Sequence, residues 1–367
     1  MRIGILTFHC AHNYGAVLQC YALQETLKKM GHDVEVIDYR PEYLLTPYNI
    51  FNKCRIQSKN PILVIKHSIR EMLLLDVRIK RHHAFDKFIT NRLNLSYHVA
   101  GHNIPDCYDV YIMGSDQIWN PKITKGFDPV YFGKFNFQKK GKKYISYAAS
   151  MEAKTLSEQV KNSYKKLLKN FDFISVRETQ LAALLQPLTD LNVSVVLDPT
   201  LLADISIWND IAKDPNIKEK YVLVYQVRTN DSTLYIADNI AKQINAKVIE
   251  ITAWHDIKFS NNKLQYESPE SFLGLIKNAS CIITTSFHGT AFSIIFNRPF
   301  FCIQLDDGED TRSISLLKSL KIENRLISKD DNPVFVNIDY KEINKRMSQL
   351  KKTSLEILTS ALNIEYK

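Results

Sequence analysis

Short apolar runs that alternate with helical patterns constrain the fold of this chain more than any other feature. Each run has the length of a buried strand, and the segments between the runs have the apolar spacing of helices. Such alternation indicates parallel sheets with helices on both faces, because each crossover helix must lie on a face of the sheet. We therefore expect an α/β fold. The ten runs are RIGILTF, DVEVIDY, DVYIMGS, KYISYAAS, FDFISV, VSVVLDP, YVLVYQV, KVIEITA, CIITTS and PFFCIQL.

The alternation is interrupted between Asp198 and Tyr221, which predicts two domains. The interruption carries two prolines and a charged end instead of an apolar run. A chain of 367 residues can bury two cores, since domains usually hold about 100 to 200 residues. We predict an N-terminal domain over residues 1–200, a linker over 201–220, a C-terminal domain over 221–340 and a helical tail over 341–367.

Composition narrows the class of protein and its location. The N-terminus MRIGILTFHC is typical of a buried strand and not of a signal peptide, and no stretch approaches the roughly 18 apolar residues of a membrane span. We expect a cytoplasmic protein. The six cysteines form no CxxC pair and no cluster with histidines, which argues against a disulfide framework and a zinc site. Reduced thiols and no metal are therefore expected.

The net charge of +9 favours an anionic partner, such as a phosphorylated small molecule, an anionic membrane surface or nucleic acid. Nucleic acid is not expected, because the Lys and Arg residues are spread along the chain and no recognition module is present. Residues 53–87 hold nine Lys or Arg against three acidic residues, with apolar clusters at near-helical spacing. This pattern predicts a basic amphipathic helix, which either lies on an anionic bilayer or packs on the first domain with a solvated basic face.

The first strand-to-helix junction, residues 12–31, combines a polar turn with an amphipathic helix. Apolar residues recur at a 4-3-4-3 spacing from Ala16 onward. Open α/β sheets bind ligands at the carboxyl ends of their strands, and free N–H groups at a helix N-terminus favour anions. The candidate substrate-binding residues of this junction are Asn13, Tyr14 and Gly15, with a plain turn as the alternative.

The second junction, residues 111–121, places a carboxylate, two amides and an indole directly after an apolar run. A sugar needs donors and acceptors for its hydroxyls and an aromatic ring for its apolar face, and this stretch offers both. The alternative is a capped loop, with Asp116 as the N-cap and Trp119 in the core. The candidate substrate-binding residues are Ser115, Gln117, Trp119 and Asn120, and Asp116 is a candidate catalytic residue.

The third junction, residues 281–300, holds the best general acid–base candidate of the chain. An apolar strand ends in hydroxyl residues, and His288 then stands at the start of an apolar helix. A histidine there can donate or accept a proton near neutral pH, while hydroxyls and helix N–H groups can bind an anion. We predict that His288 is catalytic, with a structural histidine as the alternative. Its candidate substrate-binding neighbours are Ser286, Gly289 and Thr290.

Two further charged stretches follow apolar runs. Arg177 and Glu178 follow FDFISV, and Asp198 follows VSVVL. The guanidinium of Arg177 has the geometry to bind a carboxylate or a phosphate through two hydrogen bonds. An internal ion-pair network is an equal alternative.

Five of these stretches together resemble the polysaccharide pyruvyl transferase family. They occur in the family's order between residue 1 and about residue 305. The resemblance implies two Rossmann-like domains that face a cleft, similar to B-type glycosyltransferases, with the first domain on the acceptor side. The stretches are NYGAVLQCYALQ, GSDQIWNP, SVRE, VLDPTLL and SFHGTAFSIIFNRPF.

The resemblance also implies a reaction: pyruvate passes from phosphoenolpyruvate onto two hydroxyls of a sugar, which gives a cyclic ketal and phosphate. That chemistry needs an acid for the enol methylene, a base for the sugar hydroxyl, and cations or N–H groups for phosphate and carboxylate. His288 matches the family's histidine and would be the acid–base group, with Arg177 as an anchor for phosphoenolpyruvate. No cofactor is implied. The acceptor would be a sugar of a capsular or exopolysaccharide repeat unit, and a lipid-linked one would place the protein peripherally at the inner face of the cell membrane.

One position departs from the family's pattern. Better-known members resemble R-x-H-G at the third junction, whereas Ser286 stands two residues before His288 here. Either Arg228, Arg298 or a lysine takes the place of that arginine, or the donor is not phosphoenolpyruvate. The alternatives from other classes are a nucleotide-sugar-dependent glycosyltransferase of the same architecture and a non-enzymatic sugar- or anion-binding accessory protein.

Overall fold

The computed structural model describes residues 1–51, 56–57, 60–257, 260–305 and 310–363 of the protein, and two sheets organise them. The strands of the first sheet are β1 (Arg2–Leu6), β2 (Asp33–Tyr39), β3 (Leu95–Val99), β4 (Val110–Met113), β5 (Lys143–Ala149), β6 (Phe173–Val176) and β7 (Val193–Val195). The strands of the second sheet are β8 (Tyr221–Gln226), β9 (Lys247–Thr252), β10 (Lys263–Leu264), β11 (Cys281–Thr284), β12 (Phe300–Gln304) and β13 (Leu326–Ser328).

Both sheets have the strand order of a Rossmann fold. The order is β3-β2-β1-β4-β5-β6-β7 in the first sheet and β10-β9-β8-β11-β12-β13 in the second, and the strands pair in parallel. Each of the ten predicted strands is present, so the expected α/β fold with two Rossmann-like domains is confirmed. The sequence did not predict β3, β10 and β13, which lie at sheet edges, where partial exposure removes the continuous apolar run of a buried strand.

Helices cover the sheets, and every residue of β4 and β5 is buried, as parallel strands between helices require. In the first half of the chain the helices are α1 (Tyr14–Lys29), α2 (Glu42–Leu45), α3 (Pro61–Leu73), α4 (Leu75–Arg92), α5 (Glu158–Leu167), α6 (Thr179–Leu185) and α7 (Pro199–Leu202). The helices that follow are α8 (Ile205–Ile211), α9 (Asp231–Ile244), α10 (Pro269–Asn278), α11 (Phe287–Ile295), α12 (Thr311–Leu320) and α13 (Lys341–Asn363).

The strand order of each sheet reverses once near its middle, between β1 and β4 in the first sheet and between β8 and β11 in the second. Open α/β sheets leave a crevice at such a point, beyond the carboxyl ends of the strands. The loops that follow these four strands line one common cavity between the two domains. The topology therefore places the candidate site where the two crevices face each other.

The two domains pack closely behind this cavity. One apolar cluster contains residues of both domains, among them Tyr14 of α1 and Phe272 of α10, whose rings stack with centroids 4.5 Å apart. Arg81 of α4 is buried, and its Nη1 donates across the interface to the carbonyl oxygen of Thr252 at 3.0 Å. The last helix, α13, returns to the first domain and contacts α7 and β5.

Three expectations from composition can be placed on the structure. Within the described residues, every helix is too short or too polar to cross a bilayer. The five described cysteines are free thiols, four of them buried, and Cys54 lies outside the described residues. Of the predicted basic helix at 53–87, α3 and α4 are described, whereas residues 53–55 and 58–59 are outside the described ranges.

Candidate active site

A cavity of about 460 Å³ lies between the two domains. Loops after β1, β2, β4 and β5 form its first-domain wall, and loops after β8, β9 and β11 together with the start of α12 form the opposite wall. The charged side chains among its lining residues are more often cationic than anionic, which suits an anionic ligand. They are Lys122, Lys125, Arg228 and Arg312, against Asp116 and Glu152.

His288 lies on the second-domain wall, at the second residue of α11. The helix begins there because Ser286 caps it: the Oγ of Ser286 accepts a hydrogen bond from the Gly289 N–H at 3.3 Å. On the opposite domain, Gly15 leaves room for the imidazole, since a Cβ at that position would lie 1.9 Å from Nδ1 of His288. The ring is thus held between the N-terminal turns of two helices that belong to different domains.

Asp198 is the carboxylate partner of this histidine. Its Oδ2 lies 3.7 Å from Nε2 of His288 and accepts a hydrogen bond from Nη1 of Arg177 at 2.6 Å. Burial alone would raise the pKa of Asp198, but the His288 ring and the Arg177 guanidinium beside it lower that pKa well below its ordinary value. An ionised carboxylate in this position orients the imidazole and stabilises its protonated form, which equips His288 to exchange a proton with a ligand in the cavity.

Arg177 belongs to this network and does not line the cavity. Its side chain is buried, with Nη1 on Asp198, Nη2 at 3.7 Å from Asp116, and the guanidinium over the ring of Phe287 at 4.7 Å. Of the two interpretations given for this residue, the structure therefore shows the internal ion-pair network. The role of direct anchor for phosphoenolpyruvate is not compatible with this placement.

Arg228 lies close in the fold to Ser286, where the family arginine is expected. It follows β8 and lines the cavity, and its carbonyl oxygen accepts a hydrogen bond from Oγ1 of Thr285 at 3.0 Å, one residue before Ser286. Its guanidinium is paired with the buried Asp310. Arg298, the other arginine proposed for this role, does not line the cavity.

The second junction contributes two of its five candidate residues to the cavity. Asp116 and Gln117 line it, and Gln117 Nε2 donates to Glu152 at 3.2 Å. Ser115 is fully buried and donates to the carbonyl oxygen of Ala148, while Asn120 supports Gln117 from behind with a hydrogen bond of 2.6 Å.

The prediction that Trp119 stacks on a sugar is wrong. The indole is fully buried, stacks on Phe132 and donates from Nε1 to the carbonyl oxygen of Tyr131 at 3.1 Å. It is a core residue, because the turn after β4 directs it into the domain and not toward the cavity. The capped-loop alternative had placed it correctly.

The first junction also differs from the expectation. Tyr14 is fully buried in the interface between the domains, where its hydroxyl donates to the carbonyl oxygen of Glu267 at 2.9 Å, so it cannot contact a substrate. Asn13 lines the cavity, but its Oδ1 is used to cap α1 by accepting from the Ala16 N–H at 3.2 Å. Gly15 serves the position of His288, as described above.

Two candidates beside His288 are structural as well. Thr290 is buried and donates from its hydroxyl to the carbonyl oxygen of Ser286 at 3.1 Å. Gly289 allows the helix to approach Thr284, since a Cβ there would lie 2.3 Å from its Oγ1. Ser286 itself lines the cavity.

Sequence reasoning missed an aromatic pair at the cavity. Tyr48, which follows β2, and the half-exposed Trp254, which follows β9, are parallel with ring centroids 5.9 Å apart, one from each domain. Burial raises the pKa of Tyr48 to about 12, so its hydroxyl stays protonated and able to donate. No strand-to-helix motif marks either residue, although the carboxyl ends of β2 and β9 were a general signal.

Arg312 and Glu152 were missed for a similar reason, because neither belongs to a recognisable motif. Nε of Arg312 donates to Glu152 at 2.7 Å and thereby connects the two walls of the cavity.

One group among the described residues has the composition of a metal site. His12, His82 and Asp86 place one ligand atom each within 4.8 Å of one another, and the carboxylate already pairs with both rings, at 3.3 Å and 2.7 Å. The three residues are not among those that line the cavity. They satisfy one another as a hydrogen-bonded group.

A cavity at the facing ends of two Rossmann-like sheets, with a buried His–Asp pair and several cations around it, defines a two-domain α/β enzyme. The family model described as polysaccharide pyruvyl transferase matches residues 13–307. The chain belongs to the polysaccharide pyruvyl transferase family and is a transferase.

Comparison with curated protein sequences gave no match. Among solved structures, a UDP-GlcNAc 2-epimerase from Neisseria meningitidis bound to UDP-GlcNAc is similar over 100% of this chain and 95% of its own, with 11% identity and a TM-score of 0.45. The UDP-GlcNAc 2-epimerase from Methanocaldococcus jannaschii is similar over 98% of this chain and 100% of its own, with 13% identity and a TM-score of 0.43. Similarity this distant transfers neither a ligand nor an activity to this chain.

Proposed function

We propose that this protein transfers pyruvate from phosphoenolpyruvate onto two hydroxyls of a sugar in a polysaccharide repeat unit, with a cyclic ketal and phosphate as products. The observation that carries the proposal is the pair formed by His288 and the buried Asp198, at a cavity that also holds Arg228, in a member of the pyruvyl transferase family. The pair supplies the proton exchange, and the arginine supplies the charge, that an anionic enol donor requires.

Protonation of carbon is the step that most needs a positioned acid. His288 in its protonated form donates to the methylene carbon of phosphoenolpyruvate, which becomes a methyl group, while the first sugar hydroxyl adds to the neighbouring carbon. The second hydroxyl then displaces phosphate from that carbon. His288 recovers its proton from one hydroxyl, and the proton of the other leaves with phosphate, so atoms and charge balance.

Residues of both walls fit the remaining requirements. Arg228 would bind the carboxylate or phosphate of the donor, with Lys122 and Lys125 adding positive charge from the first domain. Asp116 lines the first-domain wall and would accept the proton of the second hydroxyl and pass it to the departing phosphate.

The aromatic pair of Tyr48 and Trp254 would hold the apolar face of the acceptor sugar. We propose a lipid-linked acceptor, which the protein would meet as a peripheral protein at the cytoplasmic face of the membrane.

The direct test is phosphate release from phosphoenolpyruvate in the presence of candidate acceptor sugars, with the mass of the acceptor measured in the same reaction. We expect a sugar product that has gained a pyruvyl ketal. A glycosyltransferase would instead be stabilised in a thermal-shift measurement by a nucleotide diphosphate and not by phosphoenolpyruvate. That result, with no phosphate release, would contradict the proposal. Stabilisation by phosphoenolpyruvate without turnover on any acceptor would favour a binding protein.

The anchoring role of Arg228 has a separate test. Arg228→Lys keeps a positive charge beside Asp310 but loses the bidentate geometry of guanidinium, so KM for phosphoenolpyruvate should rise about tenfold with little change in kcat. Arg298→Lys, outside the cavity, is the matched control. Equal KM values for the two variants would show that another cation holds the donor.

A further inference from the structure

The amphipathic pattern of α3 is inverted relative to a helix that packs on a globular domain. Six large apolar side chains of this helix are exposed to solvent, and five of them have exposed fractions from 55% for Ile69 to 79% for Met72. Their spacing of three, four, three and one residues puts them on one face of the helix. They are Ile62, Ile65, Ile69, Met72 and Leu73, and we call them the α3 stripe.

The inner side of α3 holds one buried residue, which is a carboxylate. Glu71 is buried there and accepts two hydrogen bonds from the guanidinium of Arg78 on α4, one of them 2.7 Å long between Nη2 and Oε1. Loss of one partner of a buried ion pair strongly destabilises a protein, because the other charge is left buried and unpaired. The orientation of α3 that keeps Glu71 and Arg78 together is therefore favoured. The ion pair therefore fixes α3 on α4 with the α3 stripe directed outward. A contiguous exposed apolar surface of this kind marks an interaction site.

Charge decides which partner fits the α3 stripe. Lys66 and Arg70 are exposed on the same helix beside the stripe, and the single carboxylate of α3, Glu71, is buried in its ion pair. The outer face of α3 thus carries positive charge only, on a chain with a net charge of +9. A second copy of the chain would bring like charges together, whereas an anionic phospholipid surface complements both the stripe and its flanking cations.

We propose that α3 docks this protein on an anionic lipid bilayer. The α3 stripe lies at the boundary between headgroups and acyl chains, and Lys66 and Arg70 contact the headgroup phosphates. The segment that precedes α3 in the sequence adjoins the candidate site, because Tyr48 lines the cavity and Phe51, three residues later, is 60% exposed. Docking would bring the cavity to a lipid-linked acceptor, a consequence that rests on the proposed function, although the docking itself does not.

Sedimentation of the full chain with vesicles tests the proposal. We expect binding to vesicles of phosphatidylcholine mixed with phosphatidylglycerol, weaker binding to phosphatidylcholine alone, and release as the salt concentration rises. Each Lys or Arg near an anionic surface contributes roughly fivefold to binding, so Lys66→Gln with Arg70→Gln should lower the partition coefficient about 25-fold. Lys165→Gln with Lys166→Gln, at exposed cations of α5, is the matched control and should change it far less.

The apolar half of the proposal needs its own variant. Ile65→Gln, Ile69→Gln and Met72→Gln in one chain should abolish sedimentation with either kind of vesicle, because three exposed apolar side chains are removed. These positions are exposed, so the fold should be retained, and an unchanged thermal melting curve would verify this. Val334→Gln, at an exposed apolar residue elsewhere, should bind as the parent does.

Three outcomes would overturn the docking proposal. Binding that is indifferent to anionic lipid would remove the charge complementarity on which it depends. Binding that survives the triple substitution would place the contact elsewhere. A dimer in light scattering that the triple substitution dissociates would identify a second copy as the occupant. Since phosphate release with a soluble acceptor should be the same in all these variants, its absence in the parent protein would count against the proposed function alone.

Discussion

The β1–α1 and β11–α11 junctions follow the same local plan and differ in kind at the second residue of the helix. Each helix begins with a side-chain cap, from Asn13 in α1 and from Ser286 in α11. An aromatic residue comes first in each helix and contacts the opposite domain: Tyr14 stacks on Phe272, and the ring of Phe287 lies under Arg177. The two junctions thus contribute to the same interface.

The second residue of each helix is where they differ, and there the two junctions meet. Gly15 supplies the space and His288 fills it. The difference teaches that the glycine of the first junction makes room for a side chain of the other domain and not for a ligand. His288 can be placed in this way only when both domains are folded and docked, so the interface between the domains assembles the candidate site.

Replacing the histidine should have the largest effect. His288→Gln keeps a side chain of similar size in the space above Gly15 but cannot exchange a proton near neutral pH, so pyruvyl transfer should fall by about 10² to 10⁴. Phosphate release measures the loss of activity, and the melting temperature shows whether the fold is retained. His102→Ala, at an exposed histidine, is the control. Wild-type rates of phosphate release in His288→Gln would show that the functional difference between the junctions is not a proton transfer.

Filling the space from the other side should have the next largest effect. In Gly15→Ala the new Cβ would meet Nδ1 of His288, so the imidazole must move, and a misplacement of about 1 Å can cost roughly 10² in rate. The expected result is a lower kcat with the fold retained. Gly101→Ala is the control: nothing lies within 4 Å of the new Cβ but φ is +57°, so it should lower stability through backbone strain and leave kcat unchanged. A kcat equal to that of the parent would mean that the close contact has no functional role.

A cation lies beside the aromatic residue of each junction, and a buried carboxyl adjoins the cation of the second junction, so pH should act there. Tyr14 accepts a hydrogen bond from Nη1 of Arg81 at 3.3 Å, whereas the Arg177 network beneath Phe287 adjoins the buried Glu178. Burial raises the pKa of Glu178 from 4.5 to about 7, although Arg177 and Arg312 oppose the shift. A carboxyl whose pKa is raised on folding contributes its full stabilisation below the unfolded value and loses it as the pH rises through the folded value.

Glu178→Gln should remove this contribution. The substitution keeps an oxygen for the hydrogen bonds from Ser150 and the Met151 N–H, and it removes the titration. The free energy of unfolding of the variant relative to the parent should therefore rise between about pH 4.5 and about pH 7, by on the order of 3 kcal/mol. Denaturant unfolding at several pH values measures it, with Glu158→Gln on the surface as the control. A difference that does not vary with pH would mean that Glu178 is ionised throughout.

The sequence was sufficient for the central strands and for the junctions that follow them. A strand buried on both faces must be a continuous apolar run, and a helix that follows it needs a cap. Both features can therefore be recognised in the local sequence. The position of His288 at the cavity agrees with that local information.

The direction of a side chain on a turn cannot be recognised in the local sequence. Trp119 and Trp254 are both tryptophans near the carboxyl end of a strand, and only the packing of each turn sends the first into the core and leaves the second beside the cavity. The reason for Gly15 could not be read locally either, because the group that requires it belongs to the other domain. What sequence reasoning missed is therefore the set of contacts between distant segments.

The smallest expected effect belongs to the hydroxyl of Tyr14. Tyr14→Phe keeps the stack on Phe272 and loses the hydrogen bond to the carbonyl oxygen of Glu267 and the longer one from Arg81. Because Arg81 keeps its carbonyl acceptors, the free energy of unfolding should fall by about 1 kcal/mol. Tyr235→Phe, at an exposed tyrosine, is the control, and kcat should not change in either variant. If Tyr14→Phe instead left stability unchanged and raised KM for the sugar, the first junction would contact substrate after all, and the two junctions would share the work of the site.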